Sequence, residues 1–215
     1  KGYDLNAANE LVPYLDSLGI SDLYTSPITQ ARAGSEHGYD VIDPTRVSDE
    51  LGGEDALVDL SRALSGRGMG LLVDIVPNHM AAHTDNPWWR DVLTHGQASM
   101  AGSMFDVDWL AGPGTSEEGR VLFPVLGKPF GRALEDQELH LELKRDQLWV
   151  RYFEHVFPVD PRTYPEVLGP LLEGMRVRFA QGCTTRRAVD ELLFILEALA
   201  RMPSRSERGV ESRAP

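Results

Sequence analysis

Apolar positions in the first half of the chain switch between two spacings. Leu11, Val12, Leu15 and Leu18 recur at helical spacing, on one face of a helix that Asn6 can cap and Gly19 can end. Ile20 to Ser26 then reads as a strand closed by Pro27. A stretch rich in Gly, Pro and charge runs from Thr29 to about Gly53 and is expected to be a long functional loop. Ala56, Leu57, Leu60, Ala63 and Leu64 form the buried stripe of a second helix starting near Glu54, with Glu54 and Asp55 at its positive end. Gly66 and Gly68 stop it. Gly70-Leu71-Leu72-Val73-Asp74-Ile75-Val76-Pro77-Asn78-His79 follows, apolar and then abruptly polar. That is the pattern of a parallel strand covered on both faces, with chemistry gathered at its C-terminal end. Pro77 removes a ladder donor and leaves Asn78 and His79 at the lip. Helix, strand, helix, strand in this order predicts parallel, right-handed α/β winding.

Beyond His79 the pattern changes. Asn86-Pro87-Trp88-Trp89 reads as a helix start with Pro87 at the first position. Leu139, Leu141 and Leu143 alternate, Lys144 to Gln147 is polar, and Leu148, Val150 and Tyr152 alternate again. A β-hairpin with one buried face is expected there, and Val121 to Val125 is expected to add a strand. A last helix is expected from about Thr185 to Met202, with Val189, Leu192, Leu193, Leu196 and Leu199 facing inward. Residues 203–215 have little to bury and are expected to be disordered.

Composition narrows the function classes. The 42% hydrophobic content is ordinary, and no apolar run is long enough to span a bilayer, so no membrane partner is expected. A net charge of −12 argues against nucleic acid, whose binding rests on clustered Lys and Arg. The single Cys183 cannot form an internal disulfide, which fits a reducing, cytoplasmic compartment. No signal-peptide pattern opens the chain, and its start at Lys1-Gly2-Tyr3 without Met reads as a piece of a longer protein.

A neutral substrate therefore fits, and the polar residues suit a sugar. A sugar ring offers apolar C–H faces and hydroxyl edges, held by an aromatic on the face and by carboxylate, amide and imidazole groups at the edge. His37 and Tyr39 supply that set after the first strand, and Asp74, Asn78 and His79 supply it after the second. Gly38 lets the backbone approach a ligand. Taken singly, a lone Tyr or His in a loop is more often structural; their joint placement at adjacent strand ends favours function. A rival reading makes Asp74, His79 and His83 zinc ligands, but Pro77 and Asn78 argue against the helix that would align both rings, and no Glu follows His79. Trp88, Trp89 and Trp109 could be sugar platforms; core packing is the default expectation for all three.

Asp74-Ile75-Val76-Pro77-Asn78-His79 resembles the Asp-x-Val-x-Asn-His signature of the α-amylase superfamily. Ser26-Pro27 through His37-Gly38-Tyr39-Asp40 to Asp43-Pro44 is similar to that superfamily's loop after the second barrel strand. Longer stretches resemble one member family, the maltooligosyltrehalose synthases. These are Ala33 to Val41, Asn86 to Trp89, Phe105 to Trp109, Leu122 to Gly127, Tyr152 to His155 and Asp160 to Tyr164. The resemblance implies an α/β fold, a partial (β/α)8 TIM barrel with a small β-containing subdomain inserted after barrel strand 3. Residues 1–104 would hold barrel strands 2 and 3 with flanking helices, 105–202 the subdomain with its hairpin and helices, and 203–215 the tail.

It further implies a maltodextrin substrate, whose reducing-end α-1,4 bond is remade as an α,α-1,1 bond through a covalent intermediate and two carboxylates. His37, Tyr39 and His79 match substrate-binding positions around the reacting sugar. Asp74, Asn78 and Asp43 match supporting positions; Asn78 matches a calcium ligand of many amylases, although neither a metal nor a cofactor is expected here. The family's nucleophile segment, of Gly-x-Arg-x-Asp-His type, does not occur among the 215 residues. Neither do the segments carrying its acid/base Glu and third carboxylate. No catalytic carboxylate is therefore expected in this chain; the nucleophilic Asp and the acid/base Glu are expected beyond Pro215. The two other readings open at this point are an α-amylase-type glucan hydrolase and a noncatalytic carbohydrate-binding protein.

Overall fold

The computed structural model describes residues 3–109 and 121–202. The tail expected over 203–215, with Pro215 at its end, lies outside the described residues. Packing divides the chain into two compact units, one ending at Pro87 and the other beginning at Trp88.

In the first unit, helix α1 spans Leu5–Ser17. Its cap is Asp4 rather than Asn6: the Asp4 carboxylate accepts from the Ala7 N–H at 2.8 Å, which satisfies one of the unpaired donors of the first turn. Asn6 instead sits inside the helix with its amide against Gly52. Gly19, at φ +73°, ends α1 as expected. Its N–H donates to Asp16 and that of Ile20 to Leu15, the paired closure that satisfies the last carbonyls. Strand β1 (Asp22–Thr25) follows, and helix α2 spans Gly53–Ser65. Strand β4 (Gly70–Val73) pairs with β1 in parallel, Asp22 opposite Gly70 and Thr25 opposite Val73.

The segment expected as a long loop carries two further strands, β2 (Thr29–Ala31) and β3 (Val41–Val47), antiparallel with a shifted register, and a short 3-10 turn at Asp49–Leu51. Neither strand reads from the pattern, because β2 is short and Pro44 lies within β3, where a register irregularity accommodates its missing donor.

Leu5, Val12, Ala56, Leu60, Leu64 and Met69 form the unit's core, with Leu23 and Leu71 packed on it. One face of the β1–β4 pair is therefore covered by helices. The other is not: Leu72 is 60% and Tyr24 62% exposed. The expectation of a strand buried on both faces fails, because this unit supplies a helical layer on one side only.

Helix α3 (Pro87–His95) begins at Pro87 as expected, and from Trp88 on it belongs to the second unit. Trp89, Val92, Leu93 and Ala101 form a small core that gathers Trp88, Phe105, Trp109, Val121, Phe123 and Phe157 around it. All three tryptophans are thus packing residues. The expected strand at Val121 to Val125 is irregular backbone; Val121 and Phe123 contribute to this core while Leu122 points outward, 91% exposed. Helix α4 spans Phe130–Glu135. The hairpin is β5 (Leu139–Lys144) and β6 (Gln147–Tyr152), and β7 (His155–Pro158) extends it to a third strand.

Leu148 and Tyr152 are buried, but Leu141 and Leu143 are exposed, so only the β6 half of the expected face is covered. Helices α5 (Tyr164–Arg178) and α6 (Thr184–Ala200) complete the unit. Val189 and Leu196 are buried with Leu148, Tyr164 and Leu172, and Leu193 and Leu199 pack on them. Leu192, expected inward, is 47% exposed.

Candidate functional site

The polar face of the β1–β4 pair is built by strand alternation. Leu23 and Leu71 point into the helical core, so Tyr24 and Leu72, opposite each other in register, point the other way. Asp74 lies two residues beyond Leu72 and continues that face, and its N–H still donates to Thr25 at 3.1 Å. The Tyr24 hydroxyl donates to Asp74 Oδ2 at 3.0 Å. The Tyr39 hydroxyl, arriving from the loop between β2 and β3, donates to the same oxygen at 2.5 Å. Two tyrosines thus share one carboxylate oxygen at a strand end. Donors from Tyr39 first and Tyr24 second hold the Asp74 carboxyl below the usual carboxylate range, and both phenols are pushed up by the bond they give to it.

The loop that carries Tyr39 is tightly determined. The Ser35 hydroxyl bonds Asp40 and accepts the Gly38 N–H. Gly38 sits at φ +81°, and a Cβ there would lie 2.6 Å from the Pro27 carbonyl oxygen. Only glycine fits so close an approach. The Tyr39 N–H donates to His37 Nδ1 at 3.0 Å, and the two rings lie 5.9 Å apart. With Nδ1 so occupied as an acceptor, neutral His37 carries its proton on Nε2.

The other expected residues stand apart. Asp43 lies within β3, where Oδ1 accepts from the Thr45 N–H and hydroxyl at 2.9 and 2.6 Å, and Arg46 Nε lies 3.4 Å from Oδ2. The Thr45 hydroxyl, the Thr45 N–H and Arg46 hold its carboxyl below the usual range against the cost of partial burial. Asn78 and His79 are exposed on the segment leaving β4, with no side-chain hydrogen bond among the described residues. The nucleophilic Asp and acid/base Glu, expected beyond Pro215, lie outside the described residues. Sequence reasoning misses Tyr24 as a site residue. Its one signal is the alternation that turns it away from Leu23.

A cavity of about 460 Å³ is lined by Leu5, Leu11 and Leu15 of α1, by Leu23 and Tyr24, and by His37 and Gly38. Tyr39, Asp74 and His79 do not line it. Its floor is the apolar stripe of α1, so the convergent polar groups, not the cavity, mark the candidate site. Among the described residues no group of three or more His, Cys, Asp or Glu could hold a metal ion. His83 Nδ1 lies 3.1 Å from Asp85 rather than beside His79 and Asp74.

The model of the alpha amylase catalytic domain matches residues 3–157. The chain belongs to the alpha-amylase catalytic-domain family. Within that family, "Putative maltooligosyl trehalose synthase" of Mycobacterium tuberculosis is 51% identical over 128 residues, 59% of this chain and 16% of that protein. The structure of maltooligosyltrehalose synthase from Arthrobacter ramosus is 42% identical, with a TM-score of 0.63, over 74% of this chain and 20% of that one. "Alpha-amylase SusG" of Bacteroides thetaiotaomicron is 36% identical over 98 residues, 45% of this chain and 14% of that protein. The chain spans about a fifth or less of the length of each of these relatives. With the parallel β1–β4 pair and its helices, membership in the alpha-amylase family makes the first unit part of a (β/α) barrel fold.

Proposed function

We propose that the chain supplies part of the reacting-sugar subsite of a maltooligosyltrehalose synthase. Such an enzyme breaks the reducing-end α-1,4 bond of a maltodextrin and remakes it as an α,α-1,1 bond. The observation that carries this reading is the Tyr39–Asp74 hydrogen bond of 2.5 Å, which presents an aromatic ring beside the end of a barrel strand. The 51% and 42% identities to synthases support it over the hydrolase reading, which has the 36% relative behind it.

In this reading β1 and β4 are barrel strands 2 and 3, residues 1–104 belong to the barrel, and 105–202 are a subdomain inserted after strand 3. Tyr39 stacks on the reacting ring, His37 and His79 hydrogen-bond its edge, and Asp74 braces Tyr39; Asn78 and Asp43 hold the loops. The nucleophile and acid/base carboxylates come from sequence beyond Pro215, and the site requires no cofactor. Among the described residues no helix is long and apolar enough to cross a membrane; the proposed location is the cytoplasm.

The test is product analysis of the full-length gene product with maltopentaose. A nonreducing, trehalose-ended product is expected; reducing fragments would establish hydrolysis instead, and binding without turnover a noncatalytic protein. Tyr39→Ala and His79→Ala in that protein should lower kcat by roughly tenfold to a thousandfold, through loss of a transition-state contact and of ring positioning. Their melting temperatures should stay close to the wild type, since both side chains are exposed. Loss of folding in both variants would make them structural residues.

A further inference from the structure

Tyr24 is assigned no role by the family motif, yet it reaches the same atom as Tyr39. It stands in β1, one strand away from Asp74, and its ring lies on the open face of the β1–β4 pair, 62% exposed. Its hydroxyl lies 3.0 Å from Asp74 Oδ2. Asp74 Oδ2 therefore receives a donor from each side, Tyr24 from the strand and Tyr39 from the loop. The strand is fixed by its ladder, Thr25 opposite Val73 and the Asp74 N–H on Thr25. The loop is fixed by Gly38 and Ser35. The shared carboxylate oxygen joins the two on this face.

We propose that Tyr24 is a positioning residue of the reacting-sugar subsite, acting through Asp74 on Tyr39. The Tyr24 hydroxyl occupies one side of Oδ2 and so leaves the Tyr39 hydroxyl a single approach, which sets where the Tyr39 ring lies against a bound sugar. Without Tyr24, Oδ2 is open to water on that side, the carboxylate can turn, and the Tyr39 ring turns with it. A ring that still binds sugar but is displaced from the productive geometry loses turnover more than affinity.

This role rests on the proposed sugar site, so the experiment separates the two. In the full-length gene product, Tyr24→Phe keeps the ring and removes only the shared bond. Its kcat on maltopentaose should fall about fivefold to tenfold while KM changes by less than about threefold, the loss expected for one hydrogen bond to a charged group expressed mainly in orientation. In a double-mutant cycle with Tyr39→Phe the two losses should be less than additive, because both substitutions release the same oxygen.

The acid limb of the kcat/KM profile should also move to higher pH in Tyr24→Phe. The groups that face Asp74 are Tyr24 from β1 and Tyr39 from the loop, and removing one donor weakens the hold on its ionised form. A residue that served only to fold the strand would not shift that limb. Reducing products from the wild type would overturn the synthase reading and still leave the variant ratio readable. A kcat within twofold of wild type, strictly additive losses and an unmoved acid limb would overturn the role of Tyr24 whichever product forms.

Discussion

Asp74 is a half-buried carboxylate that two phenols hold in its ionised form. Its folded pKa lies below the ordinary value of about 3.9, so its contribution to stability is fully present above that value and lost as pH falls through the lowered one. Asp74→Asn should therefore flatten the acid limb of stability, its melting temperature falling less than the wild type's between about pH 4 and pH 2. Thermal unfolding across that range reads it, and identical slopes would remove Asp74 from the acid response. Gly38 makes a separate prediction. Gly38→Ala would place a methyl 2.6 Å from the Pro27 carbonyl oxygen at a positive φ. The loop must shift, and a loss of about 2 kcal/mol is expected, read from denaturant midpoints. An unchanged midpoint would mean the loop relaxes freely and does not hold Tyr39.

At the scale of elements, the second unit depends on how β6 meets the helices. Leu148, in β6, is buried, and its N–H donates to the Tyr164 hydroxyl at the start of α5 at 2.8 Å. Tyr164 is itself buried among Leu172, Val189 and Leu196. Tyr164→Phe keeps the ring and leaves that N–H without its acceptor, so a loss of about 1–3 kcal/mol is expected from urea unfolding. Leu196→Ala, deleting a buried side chain between α5 and α6, should lose about 2–5 kcal/mol. If Tyr164→Phe is neutral while Leu196→Ala is not, packing alone joins sheet and helices.

At the scale of the molecule, one face of the β1–β4 pair carries Tyr24 and Leu72 in the open beside half-buried Asp74, with Ile75 71% exposed just beyond. Each strand of the pair has one neighbour among the described strands, so each also offers an unpaired edge. Exposed apolar side chains beside open edges favour association. The isolated 215-residue chain is predicted to self-associate at micromolar concentration, and sedimentation showing a stable monomer would contradict this. It is also predicted to release no reducing sugar and form no trehalose-ended product from maltopentaose, since the proposed reading puts both catalytic carboxylates beyond Pro215. Turnover by this chain would place the catalytic carboxylates within it rather than beyond Pro215.

The sequence alone determined the features whose causes are local. The periodicity of Leu11 to Leu18 and Ala56 to Leu64, the stop at Gly19 and the proline at Pro87 yielded α1, α2 and α3, because periodicity and capping act within a few residues. The motif around His37 to Asp40 and Asp74 to His79 located the two loops that meet. The tertiary structure alone decided which residues touch. Val121 to Val125 alternates like a strand, but two of its side chains fill the core around Trp89 and it stays irregular. Leu192 fits the helical stripe of α6 but is left outside it, since the partner elements set the width of the buried face. Tyr24 reads as one more apolar strand residue until β4 is laid beside β1. Only that register brings its hydroxyl to Asp74, because contacts between residues 50 apart in sequence depend on pairing that no local pattern encodes.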